Sequence, residues 1–289
     1  MATDALTILA RPALTGARMV LGLSGWMNGG DVSTGTIEHL VSILKAAPLA
    51  RIAPDRFYLY NFPGPMEVSA LFRPHTVVED GLVKSYEPPT NEFHCDAANR
   101  LILFQGKEPH LDWTGYGECL LAVAAAFDVR TIWFVGSYAG VVPHTRDPRI
   151  YSSVSDAAMK PALEAHGIRF SNYQGPAGIS TYLTRLAAER GVRLATLVAE
   201  IPAYVHGTNP RCIEAVTRRL SAILGLQVDL GALRTLSDRF EARVNEAVRS
   251  RGELGEMVHK MEAEYDSELF ETQMGDLKEW LEQQGIRLD

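Results

Sequence analysis

The stretch from Arg18 to Leu44 constrains the fold more than any other. It opens with the apolar run Met19-Val20-Leu21-Gly22-Leu23-Ser24, as a strand buried on both faces does. It closes with Ile37, Leu40, Val41 and Leu44, spaced as one face of a helix. Between them lie Gly25-Trp26-Met27-Asn28-Gly29-Gly30-Asp31. The glycines and Asn28 admit unusual backbone angles, and Asp31 is placed to cap the helix. A strand, a glycine-rich turn and a helix N-terminus aim backbone N–H groups past the strand end.

The same pattern recurs. Leu101 to Phe104 predicts a buried strand, and Asp112 caps a following helix with Leu120, Val123, Ala124 and Phe127 on one side. Thr131 to Val135 predicts a further strand that ends at Gly136-Ser137-Tyr138-Ala139-Gly140. Arg193 to Glu200 predicts another, stopped by Pro202. Asn209-Pro210 then opens a helix that Gly225 closes. Weaker patterns predict a strand over Arg56–Asn61 and a helix over Ser153–His166 before Gly167. They also predict a short strand over Ile168–Ser171 and a helix carrying Ile179, Leu183 and Leu186. Thr76–Val78, Leu82–Lys84 and Glu92–His94 read as small antiparallel strands at a sheet edge. Crossovers of this length suit parallel pairing, so the expectation is an α/β chain with a mostly parallel sheet.

Near residue 230 the pattern changes. Leu233, Leu236, Phe240 and Val244 recur at helical spacing, and Leu254, Val258, Met261 and Tyr265 repeat it. This predicts two long helices folded back near Arg251–Gly255, with Leu277, Trp280 and Leu281 in a last short helix. Residues 1–229 are then the α/β core and 230–289 a C-terminal helical extension. The narrow apolar stripe needs cover from the domain's own flank or from another copy, and subunit contact in a homo-oligomer is the expectation.

Composition limits the function classes. The 289 residues are 46% hydrophobic and 22% charged, with a net charge of −7. This profile suits a soluble globule and argues against a general nucleic-acid binder. The apolar run Leu120–Phe127 is too short to cross a membrane. Cys95, Cys119 and Cys212 are odd in number and far apart, and the first residues lack a basic region. A cytoplasmic protein without a signal peptide is expected.

Candidate site residues cluster at predicted strand ends. The turn holding Gly25, Asn28, Gly29 and Gly30 either cradles an anion or permits only a tight turn. It matches neither the P-loop nor the dinucleotide fingerprint. If the strands are parallel, Gly136 and Ser137 share its sheet edge with the loop that carries His144 and Arg146. Arg146 suits an anion or a neighbouring acid. Glu200, at the end of a buried strand, needs a backbone N–H, Arg146 or a ligand. Ser24 lacks a nucleophile elbow, because Trp26 stands where the last glycine belongs. His110 and Asp112 lack further ligands, so no metal and no cofactor are expected. Trp26, Trp133 and Tyr204 are expected to be packing residues.

Five stretches together resemble the proteasome assembly chaperone 2 family in its bacterial and archaeal branch. They are Gly22–Gly30, Val135–Gly140, Pro143–Arg146, Tyr173–Ser180 and Ala199–Tyr204. The resemblance implies a three-layer α/β/α sandwich like that of the purine nucleoside phosphorylases. It also implies oligomerisation and a chaperone-like or scaffolding role toward a protein client. Some relatives end in a hydrophobic–tyrosine–any tripeptide that docks on the proteasome ring, whereas this sequence ends Ile286-Arg287-Leu288-Asp289. The alternative expectation is an enzyme or sensor for a small anionic or nucleoside-like ligand at the strand ends, where phosphorylases of this fold use a strand-end glutamate and glycine-rich loops.

Overall fold

A computed structural model describes residues 3–283. In chain order the elements begin with β1 (Leu6–Ile8), β2 (Arg18–Ser24), α1 (Val32–Ile43) and β3 (Ala47–Ile52). An insert follows: α2 (Met66–Ala70), β4 (His75–Glu79) and β5 (Leu82–Glu87). Then come β6 (Glu92–Asp96), β7 (Leu101–Lys107), α3 (Trp113–Ala126), β8 (Thr131–Gly140) and β9 (Ile150–Ser152). The chain continues through α4 (Lys160–Glu164), β10 (Arg169–Phe170), α5 (Ile179–Glu189), β11 (Arg193–Pro202) and α6 (Pro210–Leu224). It ends in α7 (Gly231–Arg249) and α8 (Gly252–Gln283).

The main sheet runs β1-β3-β6-β7-β2-β8-β11-β9-β10. Its centre, β7-β2-β8-β11, is parallel throughout, and the flanking pairs are antiparallel apart from β9–β10, which is parallel. Alternation along β2 sorts the two faces. Met19, Leu21 and Leu23 pack with Tyr116 of α3 and Leu183 of α5. Val20 packs on the other side with Ile37 of α1 and Val216 of α6. The result is a three-layer α/β/α sandwich. Gly22 lets α1 sit close, since a Cβ there would lie 2.7 Å from the carbonyl oxygen of Ser33.

Several expectations need correction. Arg56–Asn61 forms no strand; Phe57 and Tyr58 are buried from an irregular segment. The strand is Ala47–Ile52 instead, with a register shift after Pro48 that accommodates the imino acid. Glu92–Asp96 is an interior strand, while β4 and β5 form a separate two-stranded sheet. The helix expected over Ser153–His166 is cut short, because β11 takes up its first residues. The Thr196 hydroxyl accepts from Ser153 N–H, and Ser155 Oγ accepts from Leu194 N–H. Asp31 does not cap α1; it takes a left-handed conformation and accepts from the Thr208 hydroxyl. The last short helix is continuous with α8; the side chains of Leu277, Trp280 and Leu281, and residues 286–289, lie outside the described residues.

Within the single chain Leu233, Phe240 and Val258 are buried, Val244, Leu254, Met261 and Tyr265 half-buried, and Leu236 exposed. Leu233 joins the core cluster of α6. Among the described residues no helix is long and apolar enough to cross a membrane.

Candidate functional site

The C-terminal ends of β2, β8 and β11 carry three rims that interlock. Asn28 starts the first: its Oδ1 accepts from Thr34 N–H at 3.1 Å, the capping role expected of Asp31. Ser137 N–H donates to the Met27 carbonyl at 2.9 Å and its hydroxyl donates to the Gly29 carbonyl at 2.7 Å. Asn209 N–H donates to the Gly30 carbonyl at 2.8 Å. Gly30 has a φ of 62°, and a Cβ there would stand 2.8 Å from that of Asn209. Gly29 lies against Ile201 and Gly136 against Met27. Close packing of the turn on its neighbours explains these glycines. Gly25 lies against Glu108, whose carboxylate accepts from Trp26 N–H at 2.9 Å.

The polar side chains expected to face a ligand are engaged by the chain itself. His144 Nδ1 lies 2.7 Å from the Tyr204 hydroxyl, and Nε2 lies 3.1 Å from Asn245 Oδ1. Arg146 makes a bidentate pair with Asp266 at 2.8 and 2.7 Å. Glu200 accepts from Val141 N–H at 2.9 Å and pairs with Arg149 at 3.3 Å. Arg149 also pairs with Glu268 and stacks 4.6 Å above the Tyr265 ring. Arg169 pairs with Glu268, and the Thr145 hydroxyl donates to Glu262. The Tyr265 hydroxyl donates to the Asp147 carbonyl at 3.0 Å. Helix α8 is therefore a strap over the 143–149 loop. The space bounded by His144, Arg146, Glu200, Pro202 and Arg211 has no room for a water molecule.

Sequence reasoning missed Arg149, Tyr204, Asn245 and the acids of α8 as parts of this assembly. Nothing in their spacing marks them: proline restricts the residue before it, so Pro148 does not single out Arg149. The Ser24 hydroxyl points at the Gly106 carbonyl, 3.5 Å away. His110 Nδ1 accepts from Leu59 N–H at 3.1 Å, and Asp112 caps α3 and pairs with Arg56.

Two features of this end of the sheet remain open. Trp26 is 69% exposed and Tyr173 68% exposed, contrary to the core role expected of Trp26. Glu108 joins them, accepting from Trp26 N–H with one oxygen and from Ile179 N–H, just after the Tyr173 loop, with the other. Tyr138 and Val141, at the end of β8, are exposed as well. On the β7 side a cleft of about 580 Å³ is lined by Ser24, Asn28, Thr34, Arg73, His75 and Lys107. Burial lowers the pKa of Lys107 there.

The titrating groups share one sign. Burial pulls His39, His110 and His144 below the ordinary histidine value of 6.5. The unfolded chain therefore takes up protons first as pH falls below that value, and stability drops. Asp112, Glu262 and Asp266 are held below their ordinary range by bonds from Gly115 N–H, Thr145 and Arg146 respectively. Their contribution is full above the ordinary carboxylate values and is lost on further acidification. The melting temperature should fall in two stages, first below about 6.5 and then below about 4.5. A melting temperature that rises between pH 7 and 5 contradicts this.

The PAC2 family model matches residues 22–248. No curated protein matches the chain. Among solved structures, a Mycobacterium tuberculosis protein of unknown function has a TM-score of 0.81 at 20% identity, over 94% of this chain and 92% of its own. A Mycobacterium tuberculosis proteasome-assembly chaperone homologue has a TM-score of 0.72 at 26% identity, over 83% and 99%. An archaeal proteasome activator from Pyrococcus furiosus has a TM-score of 0.62 at 22% identity, over 86% and 99%.

Proposed function

Because this chain belongs to the PAC2 family, we propose that it is a non-enzymatic, chaperone-like scaffold that self-associates and holds a protein client on its exposed aromatic rim. The observation that carries this reading is the exposure of Trp26 and Tyr173, in two segments that Glu108 ties together through Trp26 N–H and Ile179 N–H. Trp and Tyr are the residue types that dominate protein–protein contacts. The engagement of His144, Arg146 and Glu200 by the chain's own side chains supports a structural role for them. The similarity to a proteasome-assembly chaperone homologue supports a protein client. A reducing cytoplasm suits three buried cysteines that form no disulfide among the described residues.

The test is affinity capture from the native organism with the full chain, followed by a binding titration with the recovered client. Trp26→Ala is expected to weaken binding about 30-fold, the size of a hot-spot loss. Equal affinity of the wild type and the variant overturns the rim assignment.

The cleft beside Lys107 favours a second reading, a sensor or enzyme for a small anionic or nucleoside-like ligand. Its volume is within the range of small-molecule sites. Thermal-shift titration with phosphate and nucleosides tests it. Stabilisation of the wild type that Lys107→Ala abolishes supports this reading, and no shift with any of them removes it.

A further inference from the structure

We propose that the arginine-lined seat beneath α8 is a second docking surface, which takes an acidic helix of a protein client, and that α8 is the chain's own displaceable occupant of it. The proposal rests on the reading of the chain as a holder of protein clients, and its surface shares no residue with the aromatic rim. Glu262, Tyr265 and Asp266 share one face of α8, and Glu268 flanks it. These four reach Thr145, Arg146, Asp147, Arg149 and Arg169. Residues 256–271 hold six acids against a single lysine, so the strap is an anionic helix lying on cations.

The seat is held together without α8. His144 N–H donates to the Tyr204 hydroxyl at 2.8 Å, and the Thr145 carbonyl accepts from Arg211 at 3.1 Å. Asp147 pairs with Arg218 at 2.8 Å, and Glu200 holds Arg149 at 3.3 Å. Arg211 and Arg218 stand on α6, and Glu200 on β11, so the core fixes the 143–149 loop. Arg146 and Arg169 differ: among the described residues, the carboxylates they pair with are all on α8. Fixed cations whose counter-charge comes from a separate segment suit any acidic helix of matching spacing. A neutral or basic segment would leave them unpaired.

The hold of the strap is of a kind that yields. The side chains of Asp266 and Glu268 stay 52% and 46% exposed while seated, and exposed ion pairs add little stability and are screened by salt. Only Ser250 and Arg251 join α8 to α7. Gly252 and Gly255 fall in the first turn of α8, where glycine weakens a helix. The tether keeps α8 at high local concentration, which excludes weak partners. A client helix with the same acids and further contacts of its own displaces it.

The experiment is fluorescence anisotropy at low salt on the full-length chain with two labelled peptides. One has the sequence of residues 256–271. The other is unrelated but keeps Glu, Tyr, Asp and Glu at the spacing of Glu262, Tyr265, Asp266 and Glu268. Glu262→Gln/Asp266→Asn/Glu268→Gln weakens the internal competitor and is expected to bind both peptides about tenfold more tightly than the wild type. Asp266→Asn alone, at a half-exposed carboxylate, is expected to give about threefold. Arg146→Ala and Arg169→Ala added to the triple variant should reverse the gain. In the wild type, saturating peptide should speed proteolysis within 252–283. Equal affinity of the wild type and both strap variants overturns the proposal, as does indifference to the two arginine substitutions. Binding of the 256–271 peptide alone makes the seat specific to α8 and overturns the client. Each of these failures leaves the aromatic rim standing, since that is tested by Trp26→Ala with the captured client.

Discussion

Asn91→Ala is expected to cost about 3 kcal/mol of folding stability, because one amide oxygen serves three buried donors. Asn91 is 1% exposed and lies just before β6. Its Oδ1 accepts from the Tyr58 hydroxyl at 2.7 Å, the Tyr116 hydroxyl at 2.9 Å and Lys107 N–H at 3.1 Å. Burial pushes the ionisation of both phenols upward, so they stay protonated donors. In the variant the Lys107 N–H has no acceptor, and both phenols compete for the Lys107 carbonyl. A stranded buried donor costs about 1–3 kcal/mol. The cost falls where the returning insert, β7 and α3 meet, so this one position ties three segments together. Urea unfolding measures it. A loss under about 1 kcal/mol would mean that the network relaxes and that the triple contact is dispensable.

Arg149→Met is the second large effect, again about 3 kcal/mol. The Arg149 and Glu200 side chains are only 12% and 11% exposed. Without the guanidinium, Glu200 keeps a single donor, Val141 N–H, and a buried carboxylate lacking its cation is costly. The variant also forfeits the pair to Glu268 and the stack on Tyr265, so α8 should loosen. Two measurements separate these effects. Limited proteolysis should cut the variant within 252–283 well before the wild type. Glu200→Gln added to Arg149→Met should recover much of the stability but not the protection of α8, because it removes the buried charge without restoring the strap. Recovery of both, or of neither, would contradict this division of roles.

The central parallel strands were legible because burial on both faces leaves an uninterrupted apolar run, as in Leu101–Phe104 and Thr131–Val135. Helix ends with a chemical stop were legible too: Asn209 accepts from Cys212 N–H at 3.0 Å, and Gly225 turns left-handed after α6. β3 was hidden, because Pro48 and Arg51 argue against a strand and only its place between β1 and β6 overrides that local preference. Arg56–Asn61 misled for the reverse reason: its aromatics face the core from a coil, and hydrophobicity reports burial rather than backbone shape.

The rim was legible in position but not in state. Apolar character predicts that Trp26 prefers burial, yet its backbone is fixed by Glu108 with the indole outward. Glu262, Asp266 and Glu268 read as a solvated helix face, because nothing in their spacing indicates that Thr145, Arg146, Arg149 and Arg169 await them.

That strap carries a consequence for biosynthesis. The bonds that seat α8 join residues about a hundred positions apart, from Arg169–Glu268 to Arg146–Asp266. A ribosome delivers every strand of the sheet before it delivers this helix, at roughly 5–20 residues per second. For the seconds between, the nascent sandwich presents Arg146 and Arg169 without their α8 carboxylates, while Arg149 already holds Glu200, and the arrival of Glu262 to Glu268 completes the pairs.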